Sequence, residues 1–210
     1  MSEHSHYFDA SPTGATSPRS REVVLQGRTV RVSTAAGVFS GDRLDPGTQV
    51  LLRHAGAVPP RGHLLDLGCG WGPLTLALAA ASPEATVWAV DINERARALT
   101  AANAAENSHH GVRVVAPDEM DPGQRFDLLW SNPPIRIGKD ALHELLLRWL
   151  PRLARGGRAE LVVQKNLGAD SLQRWLADTL PPRLGEGTDV SRGASSKGYR
   201  VLVVRAPDAG

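Results

Sequence analysis

At 210 residues with 41% hydrophobic content, the chain can bury one substantial core and falls near the upper end of the one-domain range. Its 24 basic and 22 acidic residues leave a formal charge of +2, which excludes a uniformly basic nucleic-acid binder and leaves only a local basic face as a route to such a partner. Cys69 is the single cysteine, which excludes an intrachain disulfide and a cysteine-built zinc cluster and fits a reducing compartment.

Met1 to Ala10 carries His and acidic residues in place of the basic and apolar blocks of a signal peptide, and no apolar run approaches the roughly 18 residues that span a bilayer. A soluble cytoplasmic protein is expected. Residues 1–20, rich in Ser, Pro, Thr and Gly from Ser11 on, read as a flexible lead-in, and residues 21–210 as one domain. Glu22–Leu25 and Thr29–Ser33 are β-rich pieces around Gln26-Gly27-Arg28, a hairpin outside the main sheet. Pro46 opens a helix through His54, with Asp45 as its N-cap.

From His63 onward strands and helices alternate, the pattern of a doubly wound, mostly parallel α/β sheet with helices on both faces. Strands are predicted near His63–Leu67, Thr86–Asp91, Val112–Ala116, Phe126–Ser131, Arg158–Gln164 and Tyr199–Val204. The clearest helix runs from Asp140 to Leu153, where Leu142, Leu145, Leu146, Trp149, Leu150 and Leu153 share one face; Leu172, Trp175, Leu176 and Leu180 repeat the pattern. Gly185 to Ser196 is turn-rich, with room for a short strand.

The first buried strand ends in Asp66-Leu67-Gly68-Cys69-Gly70-Trp71-Gly72-Pro73, followed by the helical run Leu74 to Ala81. Such a strand-to-helix turn lies at the carboxyl edge of the sheet, where nucleoside ligands bind, and its glycines allow close approach while amides at the helix start can receive an anion. A dinucleotide fingerprint would need glycine at position 73, which is Pro73. Asp66 with Gly68, Gly70 and Gly72 instead resembles the D-x-G-x-G-x-G motif of class I S-adenosylmethionine (SAM)-dependent methyltransferases. That resemblance implies a Rossmann-like fold in which Asp66 and the loop from Gly68 through Cys69 to Gly72 hold the methionine end of SAM. Asp91 ends the second strand about 20 residues on, with Ile92 next, where a carboxylate can bond both ribose hydroxyls. Asp118, after the third strand, stands where such enzymes often accept a hydrogen bond from the adenine amine. Cys69 reads as a small residue beside the cofactor, with no thiolate chemistry.

The fourth strand ends in Ser131-Asn132-Pro133-Pro134-Ile135, whose prolines fix a rigid loop at the same edge. Asn-Pro-Pro-aromatic is the motif of methyltransferases acting on amino groups of planar systems: adenine N6, guanine N2 or the glutamine amide. The resemblance implies that the Asn132 side-chain oxygen and the Pro133 carbonyl accept the two N–H protons of the target amine, with Pro134 and Ile135 completing the loop. Ile135 departs from the aromatic.

Gly37-Val38-Phe39-Ser40, Leu44-Asp45-Pro46-Gly47-Thr48, the Asp66 loop, Asn132 to Arg136 with Gly138-Lys139, Gln164-Lys165 and Lys197-Gly198-Tyr199 together resemble the methyltransferase small domain family, from about His6 to Val204. That family includes the bacterial 16S rRNA guanine-N2 methyltransferases of the C type. The resemblance implies that Phe39, Asp45 and Thr48 help close the SAM pocket and that ribosomal RNA or a ribosomal subunit is the partner. The larger enzymes of this type carry two related domains, and only the catalytic type is present here. The basic residues other than Lys139, Lys165 and Lys197 are all arginine, and these three lysines, with Arg136, are the candidate substrate contacts. Glutamine-amide methylation and a non-catalytic SAM-binding module are the alternatives. His4 with His6 and His109 with His110 lack the spacing and ligand set of a metal site, so neither metal nor membrane is expected as a partner.

Overall fold

The computed structural model describes residues 19–34 and 44–208. Strands β1 (Arg19–Leu25) and β2 (Arg28–Thr34) form the expected antiparallel hairpin, standing apart from the main sheet. Its turn residues Gln26 and Gly27 both have positive φ, +48° and +80°, the left-handed pair whose twist matches the flanking strands. Helix α1 (Pro46–His54) begins as expected: the Asp45 side chain accepts from Thr48 N, and Pro46 fills the first turn.

The remaining elements are β3 (Arg61–Leu67), α2 (Pro73–Ala81), β4 (Glu84–Val90), α3 (Glu94–Glu106), β5 (Val112–Val115), β6 (Phe126–Ser131), α4 (Lys139–Trp149), β7 (Leu153–Gln164), α5 (Ala169–Thr179), α6 (Pro181–Leu184), β8 (Asp189–Ser196) and β9 (Tyr199–Arg205). The main sheet has seven strands in the order β5-β4-β3-β6-β7-β9-β8. The first five run parallel, and β9 and β8 add antiparallel pairs at one edge. The chain winds outward from β3 through β4 to β5, then returns to the other side of β3 as β6. The crevice between the carboxyl ends of β3 and β6 is therefore the topological switch point, the place where such sheets bind ligands.

Helices cover both faces. Along β3, Leu64 packs on the face of α1, α2, α3 and the hairpin, and Leu65 on the face of α4 and α5. Both are fully buried, each contributing about 1.5–3 kcal/mol of transfer free energy. On the second face Trp149 is fully buried and Trp175 half-buried, its ring stacked 3.5 Å from His143.

Two expectations need correction. Helix α4 ends at Trp149; Leu150-Pro151-Arg152 forms one 3₁₀ turn, because proline supplies no N–H to the helical ladder, and Leu153 opens β7. Strand β7 is thus longer than predicted. The turn-rich stretch holds an eight-residue strand, β8, whose mostly polar sequence pairs along β9. No helix among the described residues is long and apolar enough to cross a membrane.

Candidate active site

Sheet register assembles the site. Leu67 of β3 pairs with Val90 of β4 on one side and with Ser131 of β6 on the other. The Ser131 hydroxyl donates to Leu67 O at 2.7 Å and locks the second pairing. The next residues, Gly68, Asp91 and Asn132, therefore leave the sheet side by side around one cavity of about 590 Å³, a size suited to a small-molecule ligand.

Asp66 lies at the bottom of that cavity, 1% exposed. Its Oδ2 accepts from Thr75 N (2.8 Å) and Thr75 Oγ1 (2.6 Å). Thr75 is in the first turn of α2, whose own N-cap, Gly72, offers no side chain, so a carboxylate on the preceding strand caps this helix. Oδ1 has no hydrogen-bond partner although it is buried. Burial pushes the carboxyl up from its ordinary 3.8 to about 7, against the lowering effect of the Thr75 bonds. A buried acceptor with one open oxygen fits a cationic donor in the cavity, since leaving it unmatched costs free energy.

Gly68, Gly70 and Gly72 all adopt positive φ, at +79°, +59° and +94°. A Cβ at Gly68 would meet no protein atom within 4 Å, so the space beside it is open cavity, whereas at Gly72 it would press on Thr100 at 3.1 Å. Gly72 thus seats α2 on α3. The loop amides are turned inward: Gly68 N and Cys69 N donate to Val90 O, Gly70 N to Asp91 Oδ2 at 3.0 Å, and Gly72 N to Cys69 O. These four do not stand free for an anion, because the loop closes on the end of β4. Asp91 also accepts from Asn93 N through Oδ1 at 2.9 Å, so this carboxylate clamps the glycine loop while facing the cavity. Burial raises its carboxyl, as it does the Cys69 thiol, which receives a 3.4 Å contact from Thr100 Oγ1. A buried protonated thiol fits the expected packing role of Cys69.

Asn132 is held from a distant element. Its Nδ2 donates to Asp45 Oδ1 at 2.7 Å and to Thr48 Oγ1 at 3.1 Å, both at the start of α1. Asp45, Thr48, Asn132 and Pro134 all line the cavity. Pro133 is buried, and Ile135 is half-buried against the core beneath α4 and α5; neither lines the cavity, where Ile137 from the same 3₁₀ turn stands instead.

Ile92, 47% exposed, lines the cavity beside Asp91. Asp118 is exposed and outside the lining, because the turn after β5 directs Pro117 inward; Glu119 is spent on Ala116 N. Phe39 lies outside the described residues, and Arg136 is described only as part of the 3₁₀ turn. Lys139, Lys165 and Lys197 are exposed, at the start of α4, the end of β7 and the β8–β9 turn. Lys165 N donates to Gly198 O at 2.8 Å, which brings two of these segments together. Sequence reasoning missed the wall from α4: Ala141, Glu144, Leu145 and Arg148 face the cavity, with Arg148 Nη2 donating to Pro117 O at 2.5 Å. Their i, i+3, i+4 and i+7 spacing was the available signal. It also missed Asn103, fully buried in α3. Its amide bonds both the N–H and C=O of Ser33 in the hairpin, and Trp71 O in the glycine loop. Among the described residues, no three His, Cys, Asp or Glu side chains are grouped to hold a metal ion.

The family model described as methyltransferase small domain matches residues 29–201. The chain belongs to that family. Among its relatives is the uncharacterized protein YbxB of Bacillus subtilis, 30% identical over 205 residues that cover 96% of this chain and 98% of that one. The ribosomal RNA small subunit methyltransferase C of Shewanella loihica is 36% identical over 141 residues, covering 65% of this chain and 40% of that protein. Among solved structures, the 16S rRNA N2 G1207 methyltransferase RsmC of T. thermophilus, in complex with AdoMet and guanosine, superposes with a TM-score of 0.71. Its identity is 23%, over 92% of this chain and 52% of that one, a likeness of fold. The chain thus spans about half the length of these named ribosomal RNA family members and nearly the whole of YbxB.

Proposed function

We propose that this chain methylates the exocyclic N2 amine of a guanine in ribosomal RNA, with SAM as donor. The observation that carries this reading is the cavity that joins the open Oδ1 of buried Asp66, the clamped Asp91 and the Asn132 amide at one sheet edge. Asp66 would take the α-ammonium of the cofactor, Asp91 its ribose hydroxyls, and Ile92 and Pro117 would flank its base. Bound SAM supplies a methyl on a sulfonium, whose transfer to an amino nitrogen leaves S-adenosylhomocysteine and releases a proton.

The chain's own residues do the rest by position. An exocyclic guanine amine is a weak nucleophile because its lone pair is delocalised into the ring. The Asn132 Oδ1 accepts one of its protons, favours a pyramidal nitrogen and keeps its lone pair directed into the cavity. This contact strengthens as the nitrogen gains positive charge, so it lowers the barrier more than it tightens ground-state binding. The lysines at 139, 165 and 197, on segments that leave the same edge, would meet the phosphate backbone around the target base. The relatives named as ribosomal RNA methyltransferases support this substrate class.

The test is incubation of the protein with labelled SAM and, separately, naked 16S rRNA, small ribosomal subunits and a cell extract, followed by nucleoside mass spectrometry. N2-methylguanosine in ribosomal RNA is the expected product. Label confined to a protein band would replace this reading with glutamine-amide methylation. SAM binding without transfer to any of the three substrates would replace it with a binding module.

A further inference from the structure

We infer that Asp45, seconded by Thr48, is a positioning residue: it fixes which end of the Asn132 carboxamide faces the substrate. This rests on the reading above, in which Asn132 Oδ1 accepts from the target amine. A carboxamide has a donor end and an acceptor end of nearly the same shape, and only its partners decide which way it points. Here Nδ2 has two N–H groups and meets two acceptors, Asp45 Oδ1 at 2.7 Å and Thr48 Oγ1 at 3.1 Å. Reversing the amide would set its oxygen against a carboxylate oxygen at that short distance, a repulsion in place of a charge-assisted bond. With the nitrogen so held, Oδ1 is turned away from α1 and is the atom left to meet a substrate proton.

The local sequence Asp45-Pro46-Gly47-Thr48 explains how a helix cap takes on this second task. Asp45 Oδ1 accepts from Thr48 N at 3.1 Å, which places the Thr48 side chain beside the carboxylate. Pro46 fixes the entry angle of the helix. Gly47 leaves room: a Cβ there would stand 2.9 Å from Asp45 Oδ1 and 3.0 Å from the Tyr199 ring, so any side chain would push the carboxylate or the ring away. A cap alone needs neither this clearance nor a hydroxyl at position 48. The arrangement also spans 87 residues of sequence, tying α1 to the loop after β6 at the edge where chemistry is proposed.

The experiment has two readouts. In ¹⁵N-labelled protein, the Asn132 side-chain NH₂ pair, recognised by its loss in Asn132→Ala, is expected downfield of ordinary exposed amides and slow to exchange with water. Asp45→Ala should return it to the exposed position, and Asp45→Asn, which keeps an acceptor oxygen and a helix cap, should largely restore it. Thr48→Val, which keeps shape and loses the hydroxyl, should give an intermediate shift and guards against a folding failure in Asp45→Ala. A pair indifferent to all three changes overturns the inference, whatever the substrate. The second readout is single-turnover methyl transfer. Asp45→Ala should slow it by roughly tenfold or more, toward the loss expected for one misdirected hydrogen-bonding group, but should not slow it further in an Asn132→Ala background. Equal rate losses in both backgrounds overturn positioning, since a role confined to helix capping acts independently of Asn132. If the NH₂ pair responds as described but no guanine N2 is methylated, the substrate reading fails and the positioning contact stands.

Discussion

The two loops that meet at the cavity are held in opposite ways. The glycine loop after β3 is fastened by its neighbours: its amides bond Val90 O, Cys69 O and the Asp91 carboxylate, and Thr100 from the adjoining helix accepts its packing. The loop after β6 owes the direction of its Asn132 carboxamide to the start of α1, 87 residues earlier. The half proposed to hold the cofactor is thus a local construction. The transfer half is a tertiary construction whose accuracy depends on two distant elements staying in place. Damage to the first should appear as lost cofactor affinity, and damage to the second as lost rate.

The sharpest way to break this division is Asn132→Ala. By analogy with deletion of one preorganised hydrogen-bonding group at a reacting centre, single-turnover rate should fall about 10²–10³-fold while SAM affinity, measured by calorimetry, stays near wild type. Near-normal turnover in a folded variant would remove Asn132 from the chemistry and nitrogen from its place as the favoured acceptor.

Asp91→Ala tests the other half. Loss of hydrogen bonds to a charged group should weaken SAM binding by about 1.5–3 kcal/mol, and because Asp91 also anchors Gly70 N, thermal stability should drop with it. Unchanged affinity in the folded variant would place the ribose elsewhere.

Asp66 distinguishes the halves by pH. Its folded-state value is raised from 3.8 to about 7, so the native state holds a proton that the unfolded chain has released over that interval. The stability this group contributes to the ligand-free protein is fully present below about 3.8 and lost as pH rises through about 7. A cationic group bonded to Asp66 selects the ionised form. SAM affinity should therefore rise with pH, at most about tenfold per unit, and level off above 7, with proton release on binding below that point. Asp66→Asn should flatten the profile; a flat wild-type profile would take the ammonium away from Asp66.

The smallest effect is expected at the rim. Changing Lys139, Lys165 and Lys197 together to Ala should lower RNA affinity and reduce its salt slope by up to about 3, leaving SAM binding alone. Equal slopes would show that these lysines do not meet phosphates.

The same division explains what could be read from the sequence. Asp66, the three glycines and Asp91 form a pattern within one βαβ unit, and backbone demands such as positive φ leave a residue-type mark. The hairpin, the Asp45 cap and six of the sheet strands were legible for the same reason. The pairing of Asp45 with Asn132 leaves no local trace, because each residue already has a sufficient local reason for its type, as a cap and as a strand-ending amide. Asp118 was placed by analogy with position along the chain, yet a one-residue difference in the turn after β5 brings Pro117 to the cavity. Ile135 was expected to complete the loop after the two prolines, and it stands half-buried against the core outside the cavity lining. Strand β8 was obscured because its residues are exposed or half-exposed and mostly polar, so pairing with β9, and not hydrophobic patterning, makes it a strand.

The seclusion of Cys69 gives the protein an experimental convenience. Its thiol is 2% exposed, protonated and the only one in the chain, so thiol-directed dyes and spin labels find almost no native target. A cysteine introduced at an exposed position such as Glu94, next to the cavity-lining Asn93, would carry a probe at one defined place without any prior removal of native thiols. Fluorescence or distance measurements from that probe could then follow the approach of a nucleic acid to the cavity mouth in real time.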